Sequence, residues 1–378
     1  MSRRWLSVFE SDLPRLVGDL ETLVCMESPS DDASRVTQVA AWVRERLRER
    51  GVPAELRPCP PRGDAVLASV AFRDGGTLLL GHLDTVWPVG TLAAGPWRVE
   101  GGRAHGPGAF DMKAGIVVGM AVLTAMVRET RPHPVSLLLV PDEEIGSPIS
   151  RELTLSIARR HSRVLVLEPS LDGAAKVARK GCGTFHLSFS GRAAHAGLAP
   201  EKGASALAEM ARFVLFLDRV ADPARGTTLT ASVARAGSAT NVVPETAELA
   251  VDARAWTQGE AERVTAAIRG YPPADPGVTV AVVGGFDHPP LEPTVASGAL
   301  YDTARRLAGV LGLELGAARV GGASDGNLTA AAGIPTLDGL GPCGDGAHAR
   351  DEHVVIADLP LRAALVAALV CEAVGPRP

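Results

Sequence analysis

A chain of 378 residues, 46% hydrophobic and 21% charged, has room for two domains with a core each. A net charge of −5 argues against the basic footprint of a nucleic-acid surface, and no apolar run of about 18 residues that would mark a membrane span is read from the sequence. The five cysteines (Cys25, Cys59, Cys182, Cys343 and Cys371) are odd in number, widely spaced and without a C-x-x-C pair. They read as free thiols in a reducing compartment, and no signal-peptide-like stretch follows Met1, so the cytoplasm is expected.

Leu13, Leu16, Val17, Leu20 and Leu23 predict a helix over residues 12–27. Val36, Val39, Ala40, Val43 and Leu47 predict another over 34–50, ended by Gly51. Strands then alternate with helical segments, one over 112–127, up to about Glu168. That alternation implies an α/β fold, a mostly parallel sheet with helices on both faces. The pattern changes near residue 180. Strand 183–190, helix 203–220, strands 227–236 and 246–254, helix 259–269 and strand 277–283 follow in the order β-α-β-β-α-β, a ferredoxin-like arrangement. After Pro289-Pro290 come a helix over 295–311, a Gly-rich loop, a strand near 334–337 and a closing helix over 358–373. The expected organisation is a discontinuous catalytic domain, 1–178 and 289–378, around an inserted α+β domain at 179–288.

Four apolar runs each lead to a potential metal ligand. Residues 77–81 run into His82-Leu83-Asp84, 135–140 into Asp142-Glu143-Glu144, and 164–167 into Glu168; 334–337 leads through a Gly-rich loop to His348. Asp111 sits in the turn Gly106-Pro107-Gly108-Ala109-Phe110-Asp111-Met112-Lys113. Fully buried strands read as continuous apolar runs, and such sheets build their sites at the carboxyl ends of the strands. Two histidines and three carboxylates converging there suit two zinc ions.

The strand period puts His82 and Asp84 on one face, where the carboxylate can accept from the second imidazole nitrogen. A carboxylate at Asp111 can bridge two ions about 3.5–4 Å apart. Glu143 and Glu144 leave their strand in different directions, so one can ligate while the other acts as general base. A charge such as Glu168 at the end of a buried strand needs a partner or a metal. His348 has Glu352 four residues on. Taken singly, Asp111 reads rather as a helix N-cap, the Glu pair as an acidic helix start and the others as turn or loop residues. Together, at one end of one sheet, they point to a site. His105, His133, His161, His186 and His353 carry no spacing signal, and no Cys–His pairing for a thiol nucleophile can be read.

These residues resemble the di-zinc metallopeptidase family of bacterial glutamate carboxypeptidase, aminoacylase and succinyl-diaminopimelate desuccinylase, the glutamate carboxypeptidase branch most of all. The matching motifs run in order over nearly the whole chain: Gly81-His82-Leu83-Asp84-Thr85-Val86, residues 106–115, Pro141-Asp142-Glu143-Glu144-Ile145-Gly146-Ser147, Glu168-Pro169, residues 191–197, Asn241-Val242-Val243-Pro244, residues 321–326 and the loop ending in His348.

The resemblance implies a zinc-dependent metallopeptidase or amidohydrolase with two Zn2+ per subunit, or another divalent metal in their place. His82, Asp111 and Glu168 would hold one ion, and Asp111, Glu144 and His348 the other. Glu143 would be the general acid/base and Asp84 the orienter of His82, and the Asp111–Met112 peptide would be cis. The inserted domain would be a dimerisation lid whose His195 stabilises the oxyanion in the partner subunit's site. Asn241, Arg254, His288, Gly322 and Ser324 are the candidate substrate-binding residues. One departure bears on specificity: where that branch has an Arg-Pro pair that clamps the substrate carboxylate, this chain has His288-Pro289.

The leading expectation is cleavage of the amide between an acyl or peptidyl group and a C-terminal amino acid, on a small N-acyl amino acid or dipeptide, by a homodimer. An N-acyl amino acid deacylase or desuccinylase, in a catabolic or a biosynthetic setting, is the alternative within the same chemistry. An aminopeptidase needs an acidic amine pocket, whereas Arg254, Asn241 and the 321–325 loop suit a carboxylate. A metal-free scaffold would be expected to have lost ligands or the base, and His82, Asp111, Glu143, Glu144, Glu168 and His348 are all present.

Overall fold

The computed structural model describes residues 2–372. The chain divides into two compact units, one of Met1–Val177, Pro293–Arg319 and Ser324–Pro378, the other of Ala178–Glu292 and Val320–Ala323.

The larger unit is built on a six-stranded sheet, in the order Ala54–Pro58, Asp64–Val70, Val135–Val140, Gly76–His82, His161–Val166 and Thr336–Leu337. The last four are mutually parallel, and the first two form an antiparallel edge. The sheet is therefore mixed, with its parallel half where the chain alternates strand and helix. The apolar runs reflect burial on both faces. Leu79, Leu137, Leu139 and Leu165 pack into one core cluster, while Leu78, Leu80, Leu138, Val140, Val164 and Val166 pack into the other. Fully burying such a side chain contributes about 1.5–3 kcal/mol.

On the first face lie the helices Leu13–Cys25, Ala33–Glu49, Ala114–Val127 and Asp358–Cys371. Residue 373, at the end of the expected closing helix, lies outside the described residues. A first helix, Ser2–Ser11, escaped the sequence reading because only Trp5 and Phe9 among its ten residues are large and fully buried. The segment Ala109–Val127 is long and apolar enough to cross a membrane, but 89% of its most apolar 18-residue window is buried inside the protein. It is apolar all round because it is the central core helix.

The register fixes the site. His82 pairs with Val140 and Leu80 with Val166, so three parallel strands end within two residues of one another. Glu143 and Glu144 follow the second strand and Glu168 the third. A small antiparallel sheet was not legible in the sequence. Its strands Gly344–Asp345, His353–Val355, Arg103–His105 and Arg98–Glu100 are two or three residues long and lack alternation. It pairs His353 with His105 and so holds the His348 loop beside the turn that carries Asp111.

The smaller unit has four antiparallel strands in the order Thr228–Ala236, Thr246–Ala255, Gly181–Ser190 and Thr279–His288. The central strand alternates, burying Phe185, Leu187 and Phe189 against Met210, Phe213 and Leu217 of the helix Ala206–Val220 and Val264 and Ile268 of the helix Gln258–Arg269. The helix expected from 203 begins at Ala206, because Ser205 caps it by accepting from the Ala208 N–H at 3.2 Å. The last strand outruns its expected end at 283: Gly284 and Gly285 look like a turn, yet they keep pairing with Phe185 and Thr184.

Candidate metal centre

His82 ends its strand with 1% of its surface exposed. Its Nδ1 donates to the Asp84 carbonyl oxygen at 2.9 Å, which fixes the tautomer that leaves Nε2 as the donor atom for a ligand. The sequence pattern assigned this orienting contact to the Asp84 carboxylate, which lies further off, at 3.4 Å. That carboxylate has other work. It accepts from the backbone N–H of Glu143 and of Glu144, both at 3.1 Å, and from the Ser30 hydroxyl at 2.6 Å. Asp84 thus positions the acidic turn as well as the histidine.

Around His82 Nε2 stand Asp111 Oδ1 at 3.3 Å, Glu168 Oε1 at 3.4 Å and Glu143 Oε2 at 4.0 Å. The other oxygen of Asp111 lies 3.4 Å from His348 Nε2, which is 3.1 Å from Glu144 Oε2. Asp111 therefore offers one oxygen to each histidine. Ligand atoms of His82, Asp111 and Glu144 lie within 4.8 Å of one another, as do those of His82, Glu143 and Glu168. The Asp111–Met112 peptide is cis.

The electrostatics fit cations. Burial works against charge on His82, but Asp111, Asp84 and Glu168 outweigh it and hold its pKa well above the ordinary value. Asp111 and Glu144 together push His348 up to about 10, against its partial burial. Burial also opposes the Asp111 anion, yet His348 and His82 hold its pKa far below the usual carboxylate range. Burial drives Glu143 well above that range; His82 pulls it down, while Glu168, Asp325 and Glu144 add to the rise. Four carboxylates crowd two imidazoles, and Glu144 Oε1 is buried with no hydrogen-bond partner. An orphaned carboxylate oxygen in a mixed N/O donor set suits a divalent metal.

Two supporting residues had little sequence signal. Glu352, marked only by its distance from His348, accepts four N–H bonds from around the Asp111 turn. Lys113 is buried, donates to the Met26 carbonyl at 2.9 Å, and is pushed down to about 8 by burial, against the pull of Glu352 and Glu27.

Of the substrate candidates only Ser324 belongs to the larger unit. Ser324 is buried, and its hydroxyl donates to Asp338 and accepts from the Gly326 N–H at 3.0 Å as a helix cap. Gly322 is exposed, and its carbonyl accepts from Arg179. In the smaller unit, Arg254 is held by Asp252 through contacts of 2.8–3.1 Å. Arg254 and His288 flank Cys182 across three adjacent strands. His288 is 5% exposed. The exposed His195 accepts from Gly197 and Leu198 N–H groups, and its strand bridge to Val242 sets it beside Asn241.

The sequence model of peptidase family M20/M25/M40 matches residues 78–372. The chain belongs to this family. It is 31% identical over 376 residues to carboxypeptidase G2 of Pseudomonas sp. (strain RS-16), covering 95% of this chain and 89% of that one. It is 29% identical to a putative succinyl-diaminopimelate desuccinylase of Mycobacterium tuberculosis, over 89% and 93% of the two chains. In fold it resembles a dinuclear metal-binding M20 peptidase of Bacillus subtilis, with a TM-score of 0.67 and 15% identity over 96% and 98% of the chains. A Staphylococcus aureus tripeptidase gives a TM-score of 0.76 at 22% identity over 95% and 97%. As an M20 member the chain is a hydrolytic enzyme of metallopeptidase type.

Proposed function

We propose that this M20 enzyme is a zinc-dependent amidohydrolase that cleaves the amide between an acyl or peptidyl group and a C-terminal amino acid. The observation that carries the reading is the split of Asp111, one oxygen toward His82 and the other toward His348. His82, Asp111 and Glu168 would hold one ion, and Asp111, Glu144 and His348 a second. The ions supply Lewis acidity when bound.

Glu143 is the general acid/base. Of the three acids within 4.0 Å of His82 Nε2 its carboxylate stands furthest off, at 4.0 Å against 3.3 and 3.4 Å for Asp111 and Glu168, which favours a free base over a ligand of the ion at His82. Glu143 takes the proton of the attacking water and returns it to the amide nitrogen as that nitrogen leaves. Burial and the neighbouring acids raise its affinity for a proton, so the carboxylate can take and hold the water's proton until the amide nitrogen leaves. Asp84 keeps the Glu143-Glu144 turn in place through the two backbone bonds.

Carboxypeptidase G2 as a relative favours a peptidyl or acyl substrate ending in a free amino acid. The second reading, a deacylase or desuccinylase, is favoured by the desuccinylase relative and by His288, where a carboxylate-clamping Arg would favour glutamate. A panel of N-acyl amino acids and dipeptides, assayed with added zinc, separates the two. Turnover of none of them, with zinc bound, would reject the amidohydrolase reading.

The substrate side is proposed to need two copies of the chain. Arg254 and His288 mark one end of the small sheet, near Cys182, whereas His195 and Asn241 lie beyond Ser190 at the other. Eight residues of strand span about 27 Å, too far for one lid to place all four on one small substrate. The strand Thr228–Ala236 is an exposed edge, including Val233, and edge pairing between two lids would cover it. In this homodimer His195 serves the partner's site. His195→Ala is then expected to be nearly inactive, since one preorganised oxyanion donor is worth about 2.7–4 kcal/mol. Mixing it with Glu143→Ala under subunit exchange should restore activity, because each heterodimer has one intact site. A mixture that stays inactive despite proven exchange would rule out action across the interface. Residence in the cytoplasm is proposed from the five free cysteines.

A further inference from the structure

We propose that Glu352 is a positioning residue that ties the His348 loop to the Asp111 turn and thereby sets the geometry of the donor set Asp111, Glu144 and His348. The inference rests on the reading of Asp111 and His348 as metal ligands.

Glu352 is 3% exposed. Its Oε1 accepts from the Phe110 N–H at 2.9 Å and the Asp111 N–H at 3.0 Å. Its Oε2 accepts from the Gly108 N–H and from Trp87 Nε1, both at 2.8 Å. Three of the four donors belong to the turn that ends in the bridging candidate, and one is the amide of Asp111 itself. The turn takes this curve only because Gly108 is left-handed, with φ +72°; a Cβ there would come within 2.7 Å of Thr85 Cγ2.

The other end of the tether is as firm. Glu352 N–H donates to the Ala349 carbonyl at 3.1 Å, and its own carbonyl accepts from the Gly106 N–H at 3.3 Å. Ala349 N–H in turn donates to Gly346 at 2.8 Å, closing the loop around His348. His348 has a φ of +61°, uncommon for a residue with a side chain, and about half of its side chain is exposed. An exposed ligand on such a loop needs its backbone held from outside the donor set. A carboxylate that takes four N–H groups does this with no donor left over.

A hydroxyl or an amide cannot replace it. In Glu352→Gln, an amide oxygen kept toward Phe110 and Asp111 turns the amide NH2 toward the Gly108 and Trp87 donors. That sets N–H against N–H at two of the four contacts. Glu352→Ala removes all four acceptors, and Trp87→Phe removes a single donor and leaves the three backbone bonds.

The test is zinc competition against a chromophoric chelator, with wild type and the three variants, beside circular dichroism of each zinc-free protein. The expected result is that Glu352→Gln folds and loses about 10–100-fold in affinity for one of its two ions, as removal of an outer partner of a ligand does. The other ion should weaken less, since of its three candidate ligands Asp111 alone depends on Glu352 while His82 and Glu168 do not, and Trp87→Phe should keep both ions close to wild-type affinity. A merely structural anchor would lower stability without separating the two affinities. Equal affinities in wild type and Glu352→Gln overturn the proposal, as does a loss as large in Trp87→Phe or failure of both Glu352 variants to fold. A wild-type chain that takes up no zinc would instead reject the proposed function.

Discussion

Glu143→Ala is expected to leave two zinc ions bound and to lower kcat by about 10²–10⁴-fold or more, the usual cost of removing a general base. Glu143 is the furthest of the three acids within 4.0 Å of His82 Nε2, and its backbone N–H, not its carboxylate, is the group Asp84 holds. Truncation at Cβ therefore removes a proton carrier and leaves the turn and the other donors in place. The loss should fall on kcat with KM little changed, because the proton moves only after the substrate is bound. Zinc content and single-turnover kinetics check both halves. A variant near the wild-type rate would remove Glu143 from the base role. A variant short of one ion would make it a ligand, as its place in the His82, Glu143 and Glu168 group allows.

The grouping of these residues was legible in the sequence for a definable reason. Three parallel strands buried on both faces must be continuous apolar runs, so the first charged residue after each run marks the same edge of one sheet. That is how His82, the Glu143-Glu144 pair and Glu168 could be placed together before any contact was known. Asp111 and His348 lie in Gly-rich loops, where no period speaks; the glycines around them, and for His348 the apolar run at 334–337, were the local marks, and the motif likeness added their roles. Parts of the structure held by short or local contacts stayed hidden. The small sheet around His105 and His353 has strands of two or three residues, too short to show alternation. The antiparallel edge of Ala54–Pro58 and Asp64–Val70 breaks the parallel pattern without a sequence mark.

Carboxylates that grip backbone were equally silent. Asp84 and Glu352 act on N–H groups that every residue has, so nothing in their neighbours' identities announces the bond. The substrate side was the least legible. Ser324 proves to be a helix cap within its own unit, and Arg254 already carries Asp252. Motif position could suggest these residues, but only side-chain geometry reveals their standing partners.

Asp111→Ala should have the larger effect on metal, with neither site keeping its wild-type affinity and hydrolysis falling with it. The argument is the shared carboxylate. Oδ1 lies 3.3 Å from His82 Nε2 and Oδ2 3.4 Å from His348 Nε2, so one truncation takes a donor from both sets. Asp111→Asn separates charge from shape: its amide oxygen can serve one set, while its NH2 offers the other a donor where an acceptor is needed. The Asn variant should therefore keep one ion far better than the other, and the Ala variant should weaken both. Without the Asp111 anion the remaining acids also hold His348 less strongly in its charged form, since Asp111 is the first cause of its rise to about 10. In the metal-free Ala variant the His348 titration should consequently move down toward neutrality, which NMR of the imidazole reads independently of activity. Two ions bound at wild-type affinity in Asp111→Ala would mean that the bridge is not Asp111, and the division of the six donors into two sets would have to be redrawn around Glu144 and Glu168.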